Sequence, residues 1–160
     1  MQCISVKNLR SLKDTNDVKI KNLNLFLGGN SSGKSTLLRL FPLIKQSSER
    51  NKTSPILWFG RFVDFGSFKD SVYLNNDKNT IEISFSFDIN SLSEVINYWS
   101  RLLQRQQIIQ EKAENSSIKL TIVLASDNKA YTYSQKLIIN YEQREFTFIF
   151  DSSIIDLLDS

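Results

Sequence analysis

The sequence predicts an α/β fold, and three observations support this prediction. An apolar segment at residues 23–27 is followed by a glycine-rich turn and by an apolar helical segment that begins near Lys34. The residues before this unit alternate between apolar and polar side chains, which is typical of strands with one solvated face. Residues 80–160 contain further alternating segments around one long segment of helical periodicity. We therefore expect a mixed sheet that includes an antiparallel β segment and one long inserted helix.

Length and composition are those of an ordinary globular domain. The 160 residues suffice for one domain with a sizeable core, and 41% hydrophobic with 23% charged residues is usual for a soluble protein. The single cysteine, Cys3, excludes an intrachain disulfide. The absence of histidine excludes histidine metal ligands and Ser-His triads from this chain.

Charge and hydropathy restrict the partners and the location. The net charge of +3 is compatible with a nucleic-acid partner but does not by itself indicate one. No segment is apolar over the length that a membrane span or a signal peptide needs. The use of cysteine fits a reducing compartment. We therefore expect a cytoplasmic protein without membrane contact.

The residues before the glycine-rich turn predict two solvated strands and one buried strand. Residues 3–7 and 18–21 alternate at period two, and residues 8–14 between them are expected to turn. Residues 23–27, Leu-Asn-Leu-Phe-Leu, are expected to form a short buried strand that leads directly into the glycine-rich turn. A strand, a loop and a helix in this order are the context that a phosphate-binding motif requires.

Residues 28–35 have the spacing of a phosphate-binding loop: a glycine, four residues, and then Gly-Lys-Ser. Gly28 and Gly33 permit backbone conformations that turn N–H groups toward an anion, and the following helix adds the positive end of its dipole. Lys34 is expected to contact the outer phosphates, and the Ser35 hydroxyl is placed to ligate Mg²⁺. The candidate nucleotide-binding residues of this loop are Gly28, Gly29, Asn30, Ser31, Ser32, Gly33, Lys34, Ser35 and Thr36.

The apolar segment after the loop predicts a helix over residues 34–46. Proline lacks the backbone N–H and clashes with the preceding helical turn, so Pro42 should end or kink this helix near Phe41. Residues 47–54 are polar and are expected to form a surface loop.

Residues 47–79 as a whole are expected to be a loop region that becomes rich in aromatic residues and glycine. Residues 55–66 are interpreted as core packing with tight turns at Gly60 and Gly66. The alternative is a platform on which nucleic-acid bases stack. The cations beside these aromatic residues are Arg61 and Lys69.

The second half of the chain predicts an antiparallel β segment. The expected strands are residues 80–88, 118–125, 130–139 and 145–150, joined in the last two cases by short polar turns. Residues 92–113 have the apolar stripe of a helix, interpreted as core packing, with a partner helix or dimer contact as the alternative. The expected single lobe, residues 1–160, therefore has three parts. These are the strands, phosphate-binding loop and helix of residues 1–46, the loop region of residues 47–79, and the antiparallel β segment of residues 80–160.

Hydrolysis requires acidic groups that the sequence does not clearly supply. A carboxylate that holds Mg²⁺ through water normally ends a buried apolar strand, and Asp151 superficially fits this position. The strand before it alternates as a half-buried antiparallel strand does, so we do not assign this role to Asp151. We therefore expect this chain alone to bind nucleotide without turning it over.

Five stretches of the chain resemble the N-terminal part of an ABC-type ATPase of the RecF/SMC class. Within that class, residues 4–70 are most similar to the OLD-like "AAA family" ATPases of prokaryotic defence systems. The stretches are residues 9–14 (LRSLKD), 27–38 (LGGNSSGKSTLL), 41–47 (FPLIKQS), 55–60 (PILWFG) and 63–70 (VDFGSFKD).

The resemblance implies a P-loop NTPase fold and a site for ATP and Mg²⁺ that is sandwiched between two protomers. Lys34, the catalytic candidate, and Ser35, the metal ligand, would lie on one face, and a signature loop from the other protomer would complete the site. Arg10 and Ser11 lie near the nucleotide in such proteins and join the binding candidates. The implied partners are a second copy of the chain, a nuclease or other effector, and DNA or another nucleic acid.

The chain departs from the resembled family because it has no signature loop, no acidic strand with a catalytic Glu, no switch His and no Toprim-type nuclease. We therefore expect the incomplete N-terminal lobe of a longer ATPase, one that gates an effector in anti-phage defence or DNA maintenance. Two alternatives remain open: a non-catalytic nucleotide-binding assembly module, and a compact P-loop kinase or NTPase.

Overall fold

Seven strands of one sheet and one long helix carry the fold in the part of the chain that the structure describes. The computed structural model describes residues 1–49, 54–88, 117–127, 131–141 and 143–150. The elements in chain order are β1 (Cys3–Leu9), β2 (Leu12–Asp14), β3 (Val18–Lys19), α1 (Lys34–Ser48), α2 (Phe68–Ser71), a 3₁₀ turn (Tyr73–Asn75), β4 (Ile81–Asp88), β5 (Ser117–Ser126), β6 (Thr132–Tyr141) and β7 (Arg144–Ile149).

The strands follow the order β2-β1-β4-β5-β6-β7, and β3 pairs with β1 beside β2. Every pair among the described strands is antiparallel, so the described residues do not contain the predicted parallel part of a mixed sheet. The registers place one row of apolar side chains across the sheet, because directly paired residues share a face. This row comprises Val6, Ile83, Ile122, Leu137 and Phe148.

The core lies where α1 covers the β1–β4 end of the sheet. Leu37, Leu40 and Leu43 of α1 are buried against residues such as Ile4 and Ile83 of the sheet. The spacing of the three leucines puts them on one helical face, which is why α1 packs with that face inward. From β1 to β7 the burial of the sheet decreases, and every described residue of β7 is exposed.

The aromatic region completes the core, as its interpretation as core packing predicted. Ile56, Trp58, Val63 and Phe65 are buried among the core residues. The Trp58 indole N–H donates to Thr132 Oγ1 at 2.8 Å, so the region is also anchored to β6.

Both predicted tight turns are present. The Gly60 N–H donates to the Val63 carbonyl at 3.0 Å and closes the first turn. Gly66, at φ +76°, is in the left-handed region, where a Cβ would lie 2.6 Å from Asp70 Oδ2. Glycine is therefore required at the second turn.

Pro42 does not end the helix, which corrects the first of the two predicted effects, that α1 stops near Phe41. The helix continues to Ser48 with Pro42 inside it. An interior proline costs about 3 kcal/mol in an isolated helix. Here the turn beyond it buries Leu43 and Gln46, and this tertiary packing offsets the cost.

Residues 23–27 do not form a strand, which corrects a second prediction. Leu23, Leu25 and Leu27 are 86%, 79% and 82% exposed, while Phe26 packs against the core. The predicted burial is therefore not observed for the three leucines, and no strand among the described residues pairs with this segment. A strand needs a hydrogen-bonded neighbour, and apolar side chains alone cannot supply one.

Smaller differences concern the opening and the element ends. Residues 8–14, predicted as a turn, contain β2, which folds back onto β1, and β3 ends at Lys19 rather than at residue 21. Ser5 of β1 is buried, so the predicted solvated face is only partly solvated.

The β segment of the second half is confirmed, with element ends that differ by one or two residues. β4, β5, β6 and β7 cover the four predicted strands. The predicted helix at residues 92–113 and the tail that contains Asp151 lie outside the described residues. Among the helices that are described, none has the length and apolar character needed to cross a membrane.

The side chain of Gln46 holds the aromatic region onto α1. Its Nε2 donates to the carbonyls of Leu57 and Val63 at 2.6 and 3.0 Å. Its Oε1 accepts from the backbone N–H groups of Phe62 and Val63 at 3.1 and 2.9 Å. One side chain thus satisfies four backbone groups of a segment that forms no strand ladder there.

We expect Gln46→Met to lower the free energy of unfolding by about 3 kcal/mol. The substitution preserves the approximate volume but leaves buried backbone groups without partners, which costs roughly 1–3 kcal/mol for each such group. Urea denaturation followed by tryptophan fluorescence measures the change. Arg39→Met, at an exposed position of the same helix, is the control, and equal midpoints for the two variants would contradict this role of Gln46.

Candidate functional site

The loop at residues 28–33 reaches α1 through a backbone that is unusual for most residues. Ser31 has φ +60° and Gly33 has φ +92°, both in the left-handed region. Ser31 tolerates this conformation at some cost, whereas Gly33 is glycine for a packing reason as well.

Gly33 is in contact with the turn that connects β1 and β2. A Cβ on Gly33 would lie 2.2 Å from Leu12 Cδ2 and 3.2 Å from Ser11 Oγ. The first distance is far below van der Waals contact, so a Cβ would require the Leu12 side chain to shift, and the φ of +92° independently favours glycine. The predicted binding residues Arg10 and Ser11 are thereby brought beside the phosphate-binding loop, although more than twenty residues separate them from Gly33 in sequence.

The ammonium group of Lys34 lies over the loop. Its Nζ donates to the carbonyls of Gly28 and Gly29 at 2.6 and 2.5 Å, and to Ser32 Oγ at 3.2 Å. The loop therefore wraps around a positive charge, and the lysine points toward the loop instead of into the core. An anion that enters the loop meets this charge at hydrogen-bonding range.

The N-terminus of α1 leaves donors available for an anion. Gly33 precedes the helix, and no described side chain caps it; its carbonyl accepts only from Leu37 in the first helical bond. The N–H groups of Lys34, Ser35 and Thr36 have no carbonyl one turn earlier within the helix to bind. The first turn also lacks acidic residues, so no carboxylate competes there with a bound anion.

These features line a cleft of about 390 Å³, a volume within the range of small-molecule sites. Eight of the predicted binding residues line it, whereas Gly28, Gly29 and Asn30 form the outer part of the loop and do not. Four further residues complete the cleft and were not predicted. The lining consists of Arg10, Ser11, Ser31, Ser32, Gly33, Lys34, Ser35, Thr36, Asp70, Val72, Leu74 and Asn75.

Arg10 is held at the cleft by its backbone and by an aromatic ring. Its N–H donates to the Ser71 carbonyl at 2.7 Å, and the adjacent Leu9 pairs with Val72 in an isolated bridge. The guanidinium carbon lies 5.1 Å from the centroid of Phe65, within the range of a cation–π contact. A second cation is therefore fixed at the cleft besides Lys34.

Asp70 is committed to capping α2 rather than to binding a metal. Its Oδ2 accepts from the Ser67 hydroxyl at 2.7 Å and from the Ser67 N–H at 2.9 Å, while the Asp70 N–H donates back to Ser67 Oγ. The hydrogen bonds from the hydroxyl and then from the N–H of Ser67 lower the pKa of Asp70 below its usual range. The capping-box spacing Ser-x-x-Asp could have been read from the sequence.

The described part of the chain offers little for a metal ion. No group of three or more acidic, histidine or cysteine side chains comes together in it. The Ser35 hydroxyl, at the exposed first turn of α1, is the protein group placed for Mg²⁺, which usually takes one or two protein ligands and completes its shell with phosphates and water. The donors and cations of the cleft are thus suited to a nucleotide that binds together with Mg²⁺, with its phosphates supplying most of the metal ligands.

One known protein family matches nearly the whole length of the chain. The family model described as an AAA ATPase domain matches residues 1–154. No curated protein matches the sequence. A nucleotide-binding ATPase that uses ATP, usually with Mg²⁺, is what this family implies, in agreement with the cleft described above. The chain belongs to the AAA ATPase domain family.

Proposed function

We propose that the chain is the ATP-binding lobe of an ABC-type P-loop ATPase in which two protomers sandwich the nucleotide. The observation that carries the proposal is the cradle around Lys34: its ammonium lies over the loop, directly before the uncapped N-terminus of α1. A charge and several aligned N–H donors at one point are suited to a polyphosphate.

Each group of the cleft has a defined task in this proposal. The N–H groups of the loop and the first turn of α1 bind phosphate oxygens, and Lys34 exchanges its carbonyl partners for the outer phosphates. Ser35 offers its hydroxyl to Mg²⁺, and the bound ion would neutralise charge on the phosphates. Arg10, fixed against Phe65, adds positive charge at the opposite wall.

The exposed leucines before the loop support the view that further strands complete the lobe. Leu23, Leu25 and Leu27 present three large apolar side chains to solvent in the extended segment that feeds the loop. Such a row is costly in water and is typical of a strand that is covered on both faces. We propose that strands from elsewhere in the ATPase, or from a partner chain, pair with and cover this segment.

Hydrolysis in the proposed ATPase depends on groups outside the described residues. Among those residues, the carboxylate in the cleft, Asp70, is occupied with capping α2, so no side chain is placed to orient an attacking water. A second protomer would supply the missing surface. We propose that the resulting cycle of ATP binding and hydrolysis gates a nuclease or other effector in the cytoplasm, in anti-phage defence or DNA maintenance, in line with the resemblance in sequence.

A second candidate function is a non-catalytic module that binds nucleotide in order to assemble with a partner. It is favoured by the amount of apolar surface exposed outside the cleft, which includes Phe146 and Phe148 of β7. Sedimentation of the proposed longer ATPase, which would include the signature loop, with and without Mg²⁺–ATP separates the two. An ATPase sandwich requires dimers that form only with nucleotide, whereas a module of the second kind forms its assembly with a different chain.

We expect Lys34→Ala to lower the affinity for ATP at least about a hundredfold without unfolding the chain. The loss corresponds to about 3 kcal/mol, which is the contribution of one or two charge-assisted hydrogen bonds to phosphate. Binding of a fluorescent ATP analogue measures the affinity, and circular dichroism checks the fold. Lys69→Ala, an exposed lysine outside the cleft lining, is the matched control. Equal ATP affinity in the parent and in Lys34→Ala would refute the assignment.

The isolated chain should bind ATP but release no phosphate above background. Positioning and electrostatic stabilisation supply most of the catalysis in phosphoryl transfer, and loss of a positioning or trans-acting group costs on the order of 10³-fold or more. A sensitive phosphate-release assay with Mg²⁺ measures turnover. Phosphate release that disappears in Lys34→Ala would contradict the incomplete-site proposal and favour a compact kinase or NTPase.

A further inference from the structure

A second candidate binding surface lies near the C-terminal end of α1, away from the nucleotide cleft. It combines exposed aromatic rings with cations and is called here the aromatic–cationic patch. Phe59 and Phe62 are 67% and 41% exposed, although Trp58, Val63 and Phe65 of the same segment are buried. Phe41, on the helix one turn before Lys45, is also exposed. The patch consists of Phe41, Lys45, Phe59, Arg61 and Phe62.

The turn that presents these rings is rigid. The Gly60 N–H donates to the Val63 carbonyl, and the Phe65 N–H donates to the Trp58 carbonyl at 2.8 Å, so the turn is closed twice. The side chain of Gln46 also forms hydrogen bonds with the backbone of this turn. A Cβ on Gly60 would lie 2.8 Å from the Gln46 side chain, which shows how closely the turn and α1 approach. A turn backbone held in this way loses little conformational entropy when a ligand binds.

The charges of the patch are positive and have no ion-pair partner among the described residues. Lys45 Nζ and Arg61 Cζ lie 5.3 and 5.4 Å from the centroid of Phe62. Neither cation is in an ion pair with a described residue. The acidic residues closest in sequence are Glu49, one helical turn beyond Lys45, and Asp64, whose carboxylate accepts from the Gly66 N–H. The two cations are therefore available to an external anion.

We propose that the aromatic–cationic patch binds an unpaired stretch of nucleic acid. Lys45 and Arg61 would contact backbone phosphates, and a base would stack on Phe59, the most exposed ring. Phe62 lies under both cations and would hold them in place instead of stacking. A duplex is disfavoured because its bases are already stacked and cannot reach a protein ring.

Single-stranded nucleic acid is favoured over a protein partner because the patch combines two cations with exposed aromatic rings. Sequence-independent binding to single strands uses phosphate contacts from cations together with base stacking on rings. Lys45 lies eleven residues after Lys34, or about 16 Å along the helix axis, so the patch is separate from the nucleotide site. The proposal therefore does not depend on ATP binding.

Fluorescence anisotropy with labelled dT15, U15 and a 15-base-pair DNA duplex tests the proposal on the full chain. We expect dT15 or U15 to bind, and the duplex to bind at least about tenfold more weakly. Phe59→Ala should weaken single-strand binding roughly tenfold without changing its salt dependence, because a stacking contact carries no charge. Phe59→Trp should retain the affinity of the parent, because it preserves a stacking ring.

The charge variants give an independent readout. Lys45→Ala and Arg61→Ala should each reduce the slope of log affinity against log salt by about 0.7, the value per phosphate contact for a single strand. Matched controls are Phe146→Ala and Arg144→Ala on β7, an exposed aromatic and an exposed cation outside the patch. Circular dichroism verifies folding of every variant.

Three outcomes would overturn the proposal. These are no binding of either single strand by the parent, equal affinity in Phe59→Ala and the parent, and equal losses in the β7 controls. Lys34→Ala is included as a separate control, since it removes ATP binding if the proposed nucleotide site is correct and should leave dT15 binding unchanged. The variants of the patch test single-strand binding, and Lys34→Ala tests nucleotide binding, so the two proposals can be refuted separately.

Discussion

The contact between Gly33 and the β1–β2 turn is the constraint on which the candidate site depends. Because a Cβ on Gly33 would overlap Leu12, a single missing side chain allows the phosphate-binding loop and the turn to close on each other. The same turn is joined on its other side to the α2 region through the Leu9–Val72 bridge. Three segments that are distant in sequence therefore converge on one cleft. Arg10 belongs to the β1–β2 turn, so its positive charge lies at the cleft as well.

α1 connects the candidate site to the rest of the molecule because each part of the helix makes a different set of contacts. Its first turn offers N–H donors to an anion, its middle buries leucines against the sheet, and its last turns hold the aromatic region through Gln46. Such a distribution explains why Pro42 is tolerated. The helix beyond the proline is stabilised by its contacts with the aromatic region and the core, and so it does not depend on an unbroken ladder of helical hydrogen bonds.

The sequence predicted those features that depend on local chemistry and missed those that depend on a distant neighbour. The helix start at Lys34, the turns at Gly60 and Gly66 and the antiparallel strands after residue 80 follow from spacing and turn residues a few positions apart. The cleft wall at residues 70–75 was missed because it reaches the loop through contacts distant in sequence, the pairing of Leu9 with Val72 and the hydrogen bond of Arg10 to Ser71. The predicted strand at residues 23–27 was wrong because its apolar residues indicated burial, while no strand among the described residues pairs with or covers this segment.

The exposed segment at residues 23–27 and the lack of a free carboxylate in the cleft have a common explanation in the proposed lobe. A strand covered on both faces needs a neighbour on each side, and neighbours parallel to it would end at the same edge of the sheet as the phosphate-binding loop. An acidic residue at the end of such a strand would face Lys34 and Ser35 across the cleft. The same added strand would therefore bury Leu23, Leu25 and Leu27 and supply the group that orients water. On this view folding and catalysis are completed together, and the described cleft would bind the phosphates of ATP before the site could hydrolyse it.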